Sequence, residues 1–260
     1  MRLGRVLVSS DLNPDYLGCW PLARRAWPAV AGLEPLLVLV ARAEEVPGEL
    51  RSDPLVHVVE PVDGLHTAFQ AQCIRLLYPA LLEGDEAVVT ADVDMLPLNR
   101  AYFHTPVSRI DARHFVAYRD VLLWVEEIPI CYNAAAPATW REIFGVGDLD
   151  DVRARLAAWG AGLEYDGRRG GRGWDTDQVL LYRTLLGRGA EARDIWILDD
   201  AYTGHRRLDR ALLEEHGGLN DAERRRIERG SYSDYHCVLP NAQFRALNER
   251  VVDVAVAVAR

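Results

Sequence analysis

The sequence predicts an α/β fold with a mostly parallel, Rossmann-like central sheet flanked by helices and a helical C-terminal part. Three observations carry this expectation. Short apolar runs alternate with amphipathic stretches of helical period from the first residues onward. After Pro137 the pattern turns predominantly helical. The 260 residues, 49% hydrophobic and 27% charged, form an ordinary globular chain able to bury a sizeable core without a disulfide or metal staple.

In chain order, residues 5–10 read as a first strand, and Asn13-Pro14 supplies an N-cap and first-turn proline for a helix reaching about residue 30. Residues 35–41 (PLLVLVA) form a buried strand and 56–59 a shorter one. Phe69, Cys73, Leu76, Leu77 and Ala80 recur at helical spacing within 67–82. Residues 86–98 begin as a strand and end in a polar turn closed by Pro97, and 115–121 and 128–132 are further strands. Helices follow at 138–144, 150–159 and 175–186, then a last strand at 195–198 and helices at 208–216, 221–229 and 241–258. Residues 166–173 (DGRRGGRG) read as a mobile loop, with four glycines in eight positions. One domain over residues 1–260 accounts for the pattern.

All 30 basic residues are arginine, against 39 acids. An active-site lysine is excluded, and with it a Schiff base or a P-loop. Residues 1–150 hold 12 arginines and 21 acids and residues 151–260 hold 18 of each, so the net charge of −9 lies wholly in the first part. Arg168, Arg169 and Arg172, then Arg206, Arg207 and Arg210, then Arg224, Arg225 and Arg226 form clusters, read as solvated faces or as holders of a phosphate-bearing ligand. Cys19, Cys73, Cys131 and Cys237 lack CxxC spacing and are expected to be buried thiols. No apolar segment approaches the roughly 18 to 20 residues of a membrane span, so a soluble, cytoplasmic protein is expected.

The segment VVTADVDMLPL at 88–98 carries most of the chemistry. Strand alternation sends Asp92 and Asp94 to one side at the end of an apolar run, where two unpaired carboxylates repel and are costly to desolvate. Mg²⁺ or Mn²⁺ would resolve that; a polar strand end facing water is the alternative. Asp175 with Gln178 has the spacing of a capping box, and Asp177 then falls in a first helical turn, where the helix dipole keeps it ionised.

Residues 70–98, with Arg75, Tyr78-Pro79 and Asp92-Val93-Asp94 in order, resemble the glycosyltransferases of the GT-A fold. Cys131-Tyr132-Asn133-Ala134-Ala135 with Trp140 resembles their acceptor-side strand and helix, and Gly173-Trp174-Asp175-Thr176-Asp177-Gln178 their W-x-x-[DE]-Q segment. The resemblance implies a metal-dependent transfer of sugar from a nucleotide-diphosphate donor, with UDP-sugar foremost, to an acceptor hydroxyl. It implies Ser9, Ser10, Asp11, Arg75, Asp92 and Gln178 as donor contacts, Tyr132, Asn133 and Trp174 as acceptor contacts, and Asp177, then Asp175, as the catalytic carboxylate. Asp92, Asp94 and the late His236 would hold Mn²⁺ or Mg²⁺. Residues 1–100 would then be the nucleotide-sugar half, residues 101–260 the acceptor half, and the 166–173 loop a lid.

The acceptor stays open between a small molecule, a glycan and DNA; the arginine clusters admit a viral transferase acting on hydroxymethylated bases. A sugar-nucleotide pyrophosphorylase is disfavoured because residues 10–15 (SDLNPD) lack glycine, and a non-catalytic sugar-nucleotide-binding module is disfavoured by the intact Asp92, Asp94 and Asp177.

Overall fold

The computed structural model describes residues 1–187 and 194–260. The elements are β1 (Leu3–Ser10), α1 (Pro14–Leu17), α2 (Trp20–Ala26), β2 (Glu34–Val40), α3 (Gly48–Arg51), β3 (Val56–Val59), α4 (Thr67–Leu77), β4 (Ala87–Asp92), β5 (Met95–Pro97), α5 (Arg100–Val107), β6 (Phe115–Ala117) and β7 (Asn133–Ala135). They continue with α6 (Pro137–Phe144), α7 (Leu149–Gly160), α8 (Thr176–Leu186), β8 (Ile195–Ile197), β9 (Arg206–Leu208), α9 (Arg210–Glu215), α10 (Asp221–Glu228), β10 (Tyr232–His236) and α11 (Asn241–Ala259).

Seven strands form the main sheet in the order β3-β2-β1-β4-β7-β6-β8. Only β7 runs against its neighbours, β4 and β6. Such a sheet needs cover on both faces, and the alternation of β1 supplies it: Val6 and Val8 join the core under α2, α5 and α11, while Leu7 joins the one under α4, α6, α7 and α8. A second sheet, β5-β10-β9, extends the chain just beyond β4.

Several expectations shift for identifiable reasons. The helix expected up to residue 30 breaks at Gly18-Cys19 and restarts as α2, because the Pro21 ring cannot sit inside a continuous helix. It ends in a π turn at Trp27–Ala31, and Gly32, at φ 69°, leaves in the left-handed conformation. Pro79 likewise converts the end of the 67–82 helix into the 3-10 turn Tyr78–Leu81. The turn expected before Pro97 is confined to residues 93–94 and gives way to β5, and the 115–121 strand shortens to β6. Residues 128–132 are irregular, and the strand lies in the next segment, β7.

Residues 195–198 do not hold the last strand, since β9 and β10 follow. Their sequences, RRL and YSDYH, are too polar to resemble strands, yet Asp234 is wholly buried because Arg119 (2.7 Å), Arg207 (3.0 Å) and the Tyr132 hydroxyl (3.1 Å) all donate to it. Helix α5, capped by Asn99, was not anticipated. The four cysteines are buried and free, as expected. Among the described residues no helix is long and apolar enough to cross a membrane.

Buried Asn248 ties α11 to the segment after His236. Its Oδ1 accepts from the Tyr235 hydroxyl (2.6 Å) and the Val238 N–H (3.1 Å), and its Nδ2 donates to the Val238 carbonyl (3.0 Å) and Asn241 Oδ1 (2.9 Å). Asn248→Ala strands several buried polar groups and should cost about 3 kcal/mol in urea unfolding. An unchanged midpoint would show that this network contributes nothing.

Candidate active site

The order of the sheet reverses between β1 and β4: β2 and β3 lie to one side of β1, and β4 to the other. Beyond the carboxyl ends of these parallel strands a crevice opens, as open α/β sheets require at such a switch point. Ser9, Ser10 and Asp11 leave β1 there. Ser9 Oγ donates to the Ala71 carbonyl, and Asp11 accepts from the Thr67 hydroxyl (2.8 Å) and the Asn13 N–H (3.1 Å). They share one wall with Tyr16, Arg75 and Asp92.

The crevice continues into a cavity of about 150 Å³ that holds Asp92, Asp94, Trp174, Asp175, Asp177, Gln178 and His236 together. Asp92 closes β4 while Asp94 lies in the turn to β5, so the shared direction of the two carboxylates comes from the turn and not from strand alternation. On the other side of Asp11, a cavity of about 480 Å³ extends past the ends of β2 and β3.

Arg75 organises the floor. It projects from α4, is buried, and pairs with both Asp92 and, at 2.9 Å, Asp177 Oδ2. Burial pushes the Asp92 carboxyl up, but Arg75 and then His236 outweigh it and hold the group below its ordinary value. Asp177 sits deeper, and burial pushes its carboxyl up to about 6, Arg75 offsetting only part of the desolvation. Its Oδ1 accepts from the Gln178 N–H at 2.9 Å, so both oxygens are engaged within the protein. Asp175 precedes α8 but makes no side-chain cap; its Oδ1 accepts from Gln178 Nε2 at 3.2 Å, so the expected capping box is replaced by a link between two cavity side chains.

On the opposite wall, His236 ends β10. Pairing with β5 sets His236 against Met95, bringing Nε2 within 3.3 Å of Asp94 Oδ2. Asp209 stands 3.6 Å behind Nδ1, and the imidazole holds the Asp209 carboxyl well below its ordinary range. A carboxylate behind a histidine fixes the orientation of the ring, an arrangement common behind metal-bound imidazoles.

Asp92, Asp94 and His236 offer the oxygen and imidazole donors that suit a divalent cation in kind, though not as a preformed group. Asp94 and His236 face each other at close to the ~3 Å separation of neighbouring ligands around a six-coordinate Mg²⁺ or Mn²⁺, and Asp92 lines the same cavity. Among the described residues no group of three or more His, Cys, Asp or Glu is drawn together as a finished metal cluster. The reason is visible: Asp92 is turned to Arg75, and Asp94 Oδ2 also receives Arg210 at 3.0 Å.

Tyr132 and Asn133 do not reach the cavity. Both are wholly buried, Tyr132 donating to Asp234 and Asn133 to the carbonyls of Pro129 (2.9 Å) and Ile130 (2.8 Å), so they build the wall and offer no acceptor contact. The arginine clusters do not make one basic face either. Arg207 and Arg210 turn inward to Asp234 and Asp94, and Arg172, Arg224 and Arg226 pair with glutamates. From the glycine-rich loop, Arg169 lines the cavity beside Trp174. Tyr16, Asp209 and Arg210 were not singled out individually; only Arg210 carried a signal, as a member of a cluster.

No family model matches the chain, and no curated protein does. Among solved structures, the glycosyltransferase GlyE of Streptococcus pneumoniae TIGR4 superposes with a TM-score of 0.52 at 12% identity, over 100% of this chain and 62% of that one. Its apo form gives 0.51 at 12%, over 98% and 63%. This chain therefore spans less than two thirds of GlyE. Galactosyltransferase LgtC, in complex with donor and acceptor sugar analogues, gives 0.46 at 14%, over 97% and 95%. The likeness to GlyE is one of fold, and that fold is the GT-A type.

Arg75→Met would leave Asp92 and Asp177 without their cation and should cost about 3 to 5 kcal/mol at pH 7. A carboxyl raised in the folded state contributes stability that is present below its unfolded value and lost as pH rises through its folded one. The loss should therefore be smaller at pH 5, below the Asp177 value of about 6, than at pH 8. Urea unfolding at both values checks this; an equal loss would contradict the assignment.

Proposed function

We propose, from the GT-A fold and the cavity it builds, that the chain is a glycosyltransferase dependent on a divalent cation. It moves a sugar from a nucleotide-diphosphate donor, with UDP-sugar as the first candidate, to an acceptor hydroxyl. The observation that carries this reading is the gathering, at the switch point, of Ser9 to Asp11, Asp92 with Asp94, Asp175 to Gln178, and His236 around one crevice.

Charge supports the cation. Four aspartates (Asp92, Asp94, Asp175 and Asp177) and three arginines (Arg75, Arg169 and Arg210) line the inner cavity, so the carboxylates outnumber the guanidinium groups by 4 − 3 = 1. A divalent cation added to this lining would give it the positive charge that a diphosphate needs. Asp92, Asp94 and His236 would hold Mn²⁺ or Mg²⁺, which when bound neutralises the diphosphate leaving group.

The remaining work belongs to the protein. The larger cavity beside Asp11 gives the nucleoside room, with Asp11 itself steadied by Thr67. Arg75 keeps Asp177 ionised near neutral pH, and that buried negative charge stabilises an oxocarbenium-like transition state. Asp177 also orients the start of α8 through the Gln178 N–H. Asp175 is exposed and is the carboxylate free to take the proton of an acceptor hydroxyl. Trp174, stacked on Tyr165 at 20° between ring planes, offers an apolar face to a sugar, and closure of the Arg169 loop over the crevice would exclude water.

A panel of nucleotide sugars scored for Mn²⁺-dependent hydrolysis tests the reaction class without knowledge of the acceptor. Asp92→Asn and Asp94→Asn should each lower turnover at least a hundredfold, and full turnover in EDTA would sink the cation requirement. For the active donor, kcat/KM should fall as pH drops through about 6, where Asp177 takes up a proton. Asp177→Asn should remove that acid limb together with most of the rate; a flat profile in the unaltered protein would exclude Asp177 from the step.

A further inference from the structure

Arg210 stands out among the cavity side chains. Its side chain is 7% exposed, and among the described residues its one bond runs from Nη2 to Asp94 Oδ2. Nε and Nη1 are buried, and among the described residues they have no partner. Leaving a buried donor unsatisfied costs about 1 to 3 kcal/mol, so folded proteins rarely tolerate two such donors on one side chain without an ordered water or a ligand that answers them. Both belong to a guanidinium that lines the crevice beside Asp94 and His236. A planar fork of N–H groups with two unused members matches the oxygens of a phosphate, which a lysine could meet only as a point charge. Arg119 also carries an unpartnered Nε, but it stands at Asp234 and Asp200 and does not line this cavity.

We infer that Arg210 is a diphosphate ligand that waits on Asp94 and exchanges it for the donor when a divalent cation takes the carboxylate. The inference rests on the proposed donor and cation reading and deepens it. Before nucleotide arrives, Arg210 neutralises Asp94 and competes with the cation. Once the cation holds Asp94, the guanidinium is released while still confined to the cavity, and the nearest anion able to satisfy its free N–H groups is the diphosphate. Cation and nucleotide thereby favour each other's binding, because each removes a cost that the other would bear alone, and linkage makes that coupling reciprocal. The arrangement also suits a chain without lysine, in which a guanidinium must serve wherever a mobile cation is needed.

Isothermal titration measures this without turnover. Mn²⁺ is titrated alone, and UDP, GDP and ADP are titrated at saturating Mn²⁺, the tightest nucleotide being carried forward. Arg210→Gln should tighten Mn²⁺ alone at least threefold, by removing its competitor, and weaken the nucleotide at least tenfold. Arg210→Lys keeps the charge on Asp94 but loses the fork, so it should leave Mn²⁺ within twofold and still weaken the nucleotide severalfold; it keeps the test open if the glutamine variant does not fold. Opposite signs in Arg210→Gln are the signature, since a merely structural role would weaken both ligands. Weakening of both, or no change in either, overturns the role of Arg210 while the donor reading stands. Failure of the unaltered protein to bind Mn²⁺ and all three nucleotides overturns the donor reading and this inference with it.

Discussion

One guanidinium, that of Arg75, makes the buried centre of this molecule electrostatically tenable. Asp92 at the end of β4 and Asp177 in the first turn of α8 come from distant parts of the chain into one cavity, and neither could be desolvated beside the other unaided. Arginine suits the task because its fork reaches two carboxylates in different directions while remaining charged. Helix α4, buried along most of its length, provides the rigid base from which that fork is held. The end of the central strand and the start of the helix opposite are thus located by the same side chain.

A second guanidinium, that of Arg210, deals with Asp94 by a looser arrangement. Arg75 is satisfied on both sides, whereas Arg210 uses one N–H group within the protein and leaves two idle. Within one cavity the contrast sets a cation engaged on two sides against one inferred to be exchangeable. It also explains why acidic residues so close together do not form a ready metal cluster, although their chemistry suits a divalent ion.

The α/β order and many of the residues that line the crevice were legible because their signals are local. Buried parallel strands are short apolar runs, and D-x-D, the β1 exit and W-x-x-D-Q are contiguous in sequence. What stayed hidden depends on distant partners. β9 and β10 are polar strands, and the buried Asp234 of β10 is answered by Arg119, Tyr132 and, from β9, Arg207, all distant from it in sequence, so no window of hydrophobicity could announce them. Tyr132 and Asn133 were read as acceptor contacts from a motif alone, and the tertiary structure turns both into the core. The same blindness concealed Asp209, whose interest lies wholly in the imidazole in front of it.

The small β5-β10-β9 sheet bears on how this sequence can drift. His236 stands opposite Met95, one residue past Asp94, while its neighbour Tyr235 is wholly buried against Asn248. Because side chains alternate along a strand, inserting or deleting one residue within 232–236 would carry the imidazole to the far face and drive the tyrosine out of the core at once. Length changes should therefore accumulate in the turns around residues 216–220 and 229–231 and spare those five positions. A relative too divergent to align by identity could then be recognised by a histidine at the end of a strand that pairs antiparallel with the strand following its two aspartates, whatever the length of chain between them.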